Sequence, residues 1–184
     1  MSVMRAVGAV FALLTALGVS GCSATYEGGE NPFPPRPYTL NVATVDPCAA
    51  LTDQQQNDLG IRESRAGTSH GGSSRGCTWP SADGVGYTIQ TFEEHASVAL
   101  GAEDSSRVVT VDGFGAVQSS PPAQGTHLPF CQVVLDIADN ASLRAQLQVS
   151  PRGADNAEHT TDSTCAQIRE VASQMLHNLR AQQH

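Results

Sequence analysis

Three groups of residues in this 184-residue chain have the types and spacing to do chemistry. Cys48, Cys77, Cys131 and Cys165 are separated by 29, 54 and 34 positions, without the close pairs that zinc sites and redox Cys-x-x-Cys motifs use. An even number of well-spread cysteines points to two disulfides and an oxidising compartment. Gly72-Ser73-Ser74-Arg75-Gly76 satisfies the G-x-S-x-G pattern of a nucleophile elbow. With His70 or His95 as base, Ser74 would be the nucleophile of a small serine-type hydrolase. That motif needs a strand before the serine and a helix after it. Here a Gly- and Ser-rich stretch precedes it and Cys77-Thr78-Trp79 follows, so no catalytic residue is assigned. Arg62, Arg65 and Arg75 lie within fourteen positions, and guanidinium groups that converge hold a phosphate, a carboxylate or an acidic glycan. They are the weak ligand-binding candidate, against the plainer reading of a solvated loop.

Composition narrows the chemistry further. All ten basic residues are arginine, so a P-loop lysine, a Schiff base and a Ser-x-x-Lys nucleophile are excluded. Eighteen carboxylates give a formal charge of −8, which argues against nucleic acid as a partner. The histidines (70, 95, 127, 159, 177 and 184) show no metal-ligand spacing, and no metal or other cofactor is expected. Glu93-Glu94-His95 and Glu103-Asp104 read as solvated strand ends and loops. Phe114 and Phe130 are groove candidates better read as core.

The elements that must position these residues fall in three parts. Arg5 precedes an apolar run from Ala6 to Val19, and its fourteen residues would span about 21 Å as helix, short of a roughly 30 Å bilayer core. Residues 1–21 therefore read as a secretory signal peptide. The next four residues, Val19-Ser20-Gly21-Cys22, resemble the lipobox of bacterial lipoproteins, in which the cysteine is lipidated and the signal is cleaved just before it. Cys22 is accordingly expected to carry lipid, and two or more acyl chains give stable membrane residence. Cleavage would remove Arg5 and take the charge from −8 to −9. Residues 22–45, with Pro32, Pro34, Pro35 and Pro37, read as an extended tether reaching up to about 70 Å from the bilayer.

Residues 46–184 read as one domain. Asp46-Pro47 and the capping box Thr52 to Gln55 predict a short helix over 47–59, with Leu51 and Leu59 inward. Residues 66–76 read as loop. Tyr87, Ile89 and Thr91 alternate with polar neighbours, and Val109 and Val111 share a face. Cys131, Val133, Leu135 and Ile137, then Asp139-Asn140, then Leu143, Ala145, Leu147 and Val149 predict a hairpin with one buried face. The sequon Asn140-Ala141-Ser142 is read as its turn. A final helix, capped by Ser163 or Thr164, carries Cys165, Ile168, Ala172, Met175 and Leu179 on one stripe. The expected fold is α+β, an antiparallel sheet with helices on one face and two disulfides stapling it. Three cysteine pairings are open. Cys48–Cys77 with Cys131–Cys165 is favoured, because each bond would pin a helix to a nearby strand.

The ordered set Asp46-Pro47-Cys48-Ala49-Ala50-Leu51-Thr52, Leu59-Gly60, Cys77-Thr78-Trp79, Asp112-Gly113-Phe114-Gly115-Ala116, Cys131-Gln132-Val133 and the helix-opening Cys165 resembles an actinobacterial family. These are secreted lipoproteins carrying the domain of unknown function 3558, and the resemblance covers about residues 22–180. It implies an extracytoplasmic, lipid-anchored domain with the two bonds just named, and it brings no activity to any residue. Gly115 departs from the family, where proline is expected. The expectation for function is a non-enzymatic envelope module on the outer face of the cell membrane, binding a small molecule, a wall component or a protein partner.

Overall fold

Period-two alternation drives most of the architecture. In the computed structural model, which describes residues 31–61, 63–121, 128–154 and 158–183, seven strands form one antiparallel sheet. They are β1 (Arg65–Ser69), β2 (Ser74–Pro80), β3 (Val85–Phe92), β4 (Arg107–Val111), β5 (Phe114–Ser119), β6 (Phe130–Ala138) and β7 (Ala141–Val149). Their order is β1-β2-β3-β7-β6-β5-β4, so the hairpin expected from sequence, β6–β7, lies at the centre. Asp112 and Gly113 link β4 to β5 with φ of 50° and 81°, the left-handed pair that a two-residue hairpin turn demands.

Residues directly opposite in an antiparallel pair share a face, so the register sorts every side chain. Val133 opposes Ala145, which opposes Ile89, which opposes Cys77. This apolar row runs across four strands on what we call the inner face. Trp79, Tyr87, Leu147 and Cys131 form the next row, each no more than 1% exposed. Helix α2 (Thr161–Ala181) covers this face with Cys165, Ile168, Val171, Ala172, Met175, Leu176 and Leu179, all buried. Each fully buried aliphatic or aromatic side chain contributes roughly 1.5–3 kcal/mol. Polar contacts orient the helix on the sheet: Gln167 donates to the Tyr87 hydroxyl (2.6 Å), and Arg169 to the Gln118 side-chain oxygen Oε1 (2.9 Å). Cys131–Cys165 ties β6 to α2, and Cys48–Cys77 ties a 3-10 turn at Pro47–Ala49 to β2. Both bonds follow the favoured pairing.

Four details depart from the sequence reading. The helix expected over 47–59 is instead a 3-10 turn followed by α1 (Asp53–Asp58). Thr52 sits between them in extended conformation and caps α1 through the Thr52–Gln55 box, which interrupts any continuous helix. The cap of α2 is Thr160, in a reciprocal pair with Ser163, so the helix starts earlier than expected. The stretch read as loop over 66–76 contains β1, a turn at His70–Gly72 and the start of β2. Pairing with β2 imposes the strand on β1 despite its small, unpatterned residues, since tertiary context overrides propensity.

The fourth departure concerns the tether. Residues 31–45 lie against the sheet, so this part of the expected stalk belongs to the domain. Phe33, Leu40 and Val45 are buried. The Leu40 amide donates to the Ile137 carbonyl (3.1 Å), where the β6–β7 register shifts between Asp136 and Ala138. Arg36 donates through Nε (2.8 Å) and Nη2 (2.9 Å) to the two carboxylate oxygens of Asp136 and through Nη1 to Asp139 (2.8 Å). The absence of side chains at 113 and 115 makes room for the arm. A Cβ at Gly115 would come within 2.4 Å of the Phe33 Cβ, and one at Gly113 within 2.8 Å of the Pro37 ring. Gly115, where proline is expected in the family, is therefore the seat of Phe33.

Candidate functional site

The face of the sheet opposite α2 divides in two. Over β5 and β6, Phe33 of the arm and the 3-10 turn Ala96–Ala99 cover Val117 and Val134 in a small second core. Over β1, β2, β3 and β7 the face is open, and its residues alternate with those of the inner face. Gly76, Thr78, Thr88, Gln90, Arg144, Gln146 and Gln148 present themselves here, with Gln132 and Phe130 at the β6 border. Hydrogen bonds link them in rows across the strands. Gln146 donates to Gln132 (3.0 Å), which donates to the Ser119 hydroxyl (2.9 Å). The Thr78 and Thr88 hydroxyls are 3.2 Å apart.

Two depressions lie on this open face. One, of about 110 Å³, is lined by Arg65, Gly67, Gly76, Thr78, Thr88 and Gln90 among others. The other, of about 360 Å³, lies between Thr78, Pro80, Gly86, Thr88, Leu128 and Gln148. They meet at the Thr78–Thr88 pair, making one shallow trough. Gly76 lowers its floor, since a Cβ there would lie 2.7 Å from the Gln90 side chain and the Ile89 carbonyl.

Charge is distributed unevenly. On an acidic chain, β1, β2, β3 and β7 contain Arg65, Arg75 and Arg144 and no carboxylate. The acids sit at the ends of these strands, as Glu63, Asp83, Glu93 and Glu94. Arg144 is the central cation. Its guanidinium packs over the Phe92 ring, 4.8 Å from the centroid, and its Nε donates to Gln90 (3.1 Å), as does Nη2. Burial lowers its pKa, with Glu94 opposing that shift. His70 meets the Phe92 ring edge-on at 5.6 Å.

Of the arginine cluster expected from sequence, the described members Arg65 and Arg75 do not come together. Arg65 opposes Thr78 and Arg75 opposes Thr68, an odd offset that puts the two guanidiniums on opposite faces of the sheet. Arg65 is exposed on the open face beside Glu63 (3.9 Å). Arg75 is on the inner face and donates to the Val42 carbonyl of the arm. Arg62 lies outside the described residues, as do Cys22 and the segment expected to be a signal peptide. Phe114 is core, meeting Tyr38 edge-on at 4.7 Å, and Phe130 is half-buried.

Ser74 also fails the geometry of an activated nucleophile. It opens β2 rather than standing between a strand and a helix. Its side chain is 1% exposed, and its hydroxyl has no hydrogen-bond partner among the described residues. A general base must reach hydrogen-bond distance, and none does. His177 instead meets Asp112 (3.3 Å), at the β4–β5 turn. Among the described residues, no group of three or more His, Cys, Asp or Glu side chains is placed to hold a metal ion. No described helix is long and apolar enough to cross a membrane.

What sequence reasoning missed is Arg144 and the open face around it. The signal was present in the parity of β7, since Arg144, Gln146 and Gln148 alternate with Leu143, Ala145 and Leu147.

Fold and site together define a two-layer α+β domain, disulfide-stapled on one side of its sheet and polar on the other. The chain belongs to the family described as "Protein of unknown function (DUF3558)", whose family model matches residues 17–178. A comparison with curated proteins gives no match. Among solved structures, one from Bacteroides thetaiotaomicron VPI-5482 is 15% identical, with a TM-score of 0.32; the similarity covers 55% of this chain and 40% of that one.

Proposed function

We propose that this chain is an extracytoplasmic lipoprotein of actinobacterial type, held to the outer face of the cell membrane through Cys22. It acts there as a non-enzymatic binding module whose working surface is the open face of the sheet. The observation that carries the binding part is the contrast of charge: four adjacent strands of an acidic protein hold no carboxylate, and Arg65 lines the shallow polar trough on their open face. Such a surface suits a polar, hydroxyl-rich or anionic ligand. The lipobox-like Val19-Ser20-Gly21-Cys22 and the two disulfides support the exported, anchored part.

The packed arm shortens the expected stalk. Only residues 23–30 separate Cys22 from Asn31, where the described structure begins, and fully extended they reach about 30 Å. The module therefore works close to the bilayer. Cell fractionation of Cys22→Ala tests the anchor: the variant leaves the membrane fraction, and its retention there with unchanged mass would overturn the reading. The binding part is tested by amide-resonance perturbation on titrating the purified protein with envelope polymers. Shifts that cluster on β1, β2, β3 and β7 are expected, and shifts confined to α2 would sink it.

A further inference from the structure

The sheet ends on one side in β4, and among the described residues no strand pairs with its outer edge. The two-residue turn at Asp112 and Gly113 makes Val111 and Phe114 a hydrogen-bonded pair, so Val109 and Arg107 also aim their main-chain groups at β5. Val108 and Thr110 aim theirs outward, and these N–H and C=O groups have no partner among the described residues. Natural edges are blunted by charge, a proline, a bulge or a covering segment. Arg107-Val108-Val109-Thr110-Val111 carries charge only at its start, lacks proline and runs in unbroken register with β5. Its valines and threonine are strong strand formers. Val108 and Val98 are the large hydrophobic side chains exposed among the described residues. The other edge, β1, offers Ala66, Gly67, Thr68 and Ser69, a poorer template.

The pattern of this edge is complementary to itself. Set antiparallel to a second copy, with Val108 opposite Thr110 of that copy, it satisfies every outward N–H and C=O of both residues in both chains. Val109 then meets Val109 of the second copy on the two-fold axis. Arg107 shares the helix side of the sheet with Val109 and Val111, and the Asp112 carboxylate turns to that side too, where it meets His177 of α2 (3.3 Å). In this register Arg107 of each copy comes beside Asp112 of the other, so a strand that opens on a cation and ends at an acid pairs its charges twice. A two-fold axis normal to the sheet keeps both α2 helices on one side. Both arms begin on the other side, where Phe33 packs with Val117, which suits two chains held to one bilayer. The strands β1, β2 and β3 stay at the two far ends, clear of the contact.

We propose that β4 is a self-association edge, through which two copies of this chain join into one continuous antiparallel sheet. The occupant is a second copy because the free main-chain groups and the charges of Arg107 and Asp112 in one chain answer those of another in a single register. A contact built on one short strand is small, so the dimer forms with micromolar rather than nanomolar affinity.

Sedimentation velocity of the full chain in detergent, from about 1 to about 100 μM, tests this. A reversible monomer–dimer equilibrium is expected, and a chain that stays monomeric throughout overturns the proposal. Val108→Lys and Val108→Pro change a position whose main chain bonds nothing within the fold, so circular dichroism should be unaltered. Each should weaken the dimer by about 10-fold or more. A dimer unchanged in either folded variant uses another surface, which overturns the proposal. Oxidation of Val109→Cys should give a covalent dimer and oxidation of Thr110→Cys should not, since only position 109 meets itself on the axis. Failure of the first, or the reverse pattern, overturns the register. Amide exchange at Val108 and Thr110 should slow as concentration rises. Equal protection at every concentration would mean that a segment of the same chain covers the edge, and equal exposure would leave it to a foreign strand; either result overturns the second copy as occupant.

Discussion

The two faces of this sheet are built by the same strands and differ in nearly everything else. On β6 and β7 the inner positions Cys131, Val133, Leu135, Leu143, Ala145 and Leu147 are sealed under α2, while their neighbours Gln132, Arg144, Gln146 and Gln148 remain accessible. The inner face carries both disulfides and Trp79. The open face carries amides, hydroxyls and the guanidiniums of Arg65 and Arg144. Stability is concentrated where water is excluded, and the proposed recognition is left to side chains whose loss the fold tolerates. The division makes the two roles separable by mutation.

The sharpest break comes from the centre of the inner face. Trp79→Ala should cost about 3–5 kcal/mol in urea denaturation, because a fully buried indole leaves a cavity that rigid strands cannot close. Removing one disulfide, as in Cys131→Ser with Cys165→Ser, should lower stability by about 3–4 kcal/mol, the chain-entropy value for a loop of this length. Cys48→Ser with Cys77→Ser should come out similar, and a loss below about 1 kcal/mol in either would show the staple to be redundant with packing.

The arm tests how far the covered part of the second face resembles the first. Arg36→Ala should cost about 3 kcal/mol, because Asp136, whose side chain is 2% exposed, would keep a buried charge without its partner. The hydrogen bond from Arg36 also holds the Asp139 carboxyl below its ordinary range. That contribution is present above the unfolded carboxylate pKa and is lost as pH falls through the folded value. In Arg36→Ala the acid limb of the stability profile should flatten.

A smaller effect reads the helix–sheet contact. Burial pushes the Tyr87 hydroxyl up to about 12, against an unfolded value near 10. Its contribution to stability is complete below pH 10 and is lost as pH rises toward 12. Tyr87→Phe removes the ionisation, so its alkaline unfolding midpoint should rise relative to wild type even as the bond from Gln167 is lost. An unchanged midpoint would place the alkaline transition elsewhere. The smallest changes belong to the open face. Gln146→Ala and Thr88→Ala should alter stability by no more than about 0.5 kcal/mol, and a loss above about 1.5 would show that this face also holds the fold together.

Much of this contrast is legible one-dimensionally. The β6–β7 hairpin is readable because two runs alternate with strict period two around Asp139-Asn140, and α2 because its apolar residues recur at spacings of three and four. The same parity marks Gln132, Arg144, Gln146 and Gln148 as a second face. β1 is not readable, since Arg65-Ala66-Gly67-Thr68-Ser69 becomes a strand only by pairing with β2. Nor is the arm, whose prolines signal extension without signalling that Gly113 and Gly115 leave a seat for it. The arginine cluster misled because nearness in sequence ignores parity, which sends Arg65 and Arg75 through opposite sides of one sheet.

The sequence by itself thus determined which residues alternate and which cysteines are available to bond. These are local matters, set by side-chain period and by thiol chemistry. Only the tertiary structure decided the strand order, the seating of Phe33 and Arg36 on the sheet, and which face stays uncovered. Arg144 meets Gln90 and Phe92 across more than fifty positions of chain. Contacts at that separation form only once the non-local pairing of β3 with β7 has been made, and no local periodicity encodes them.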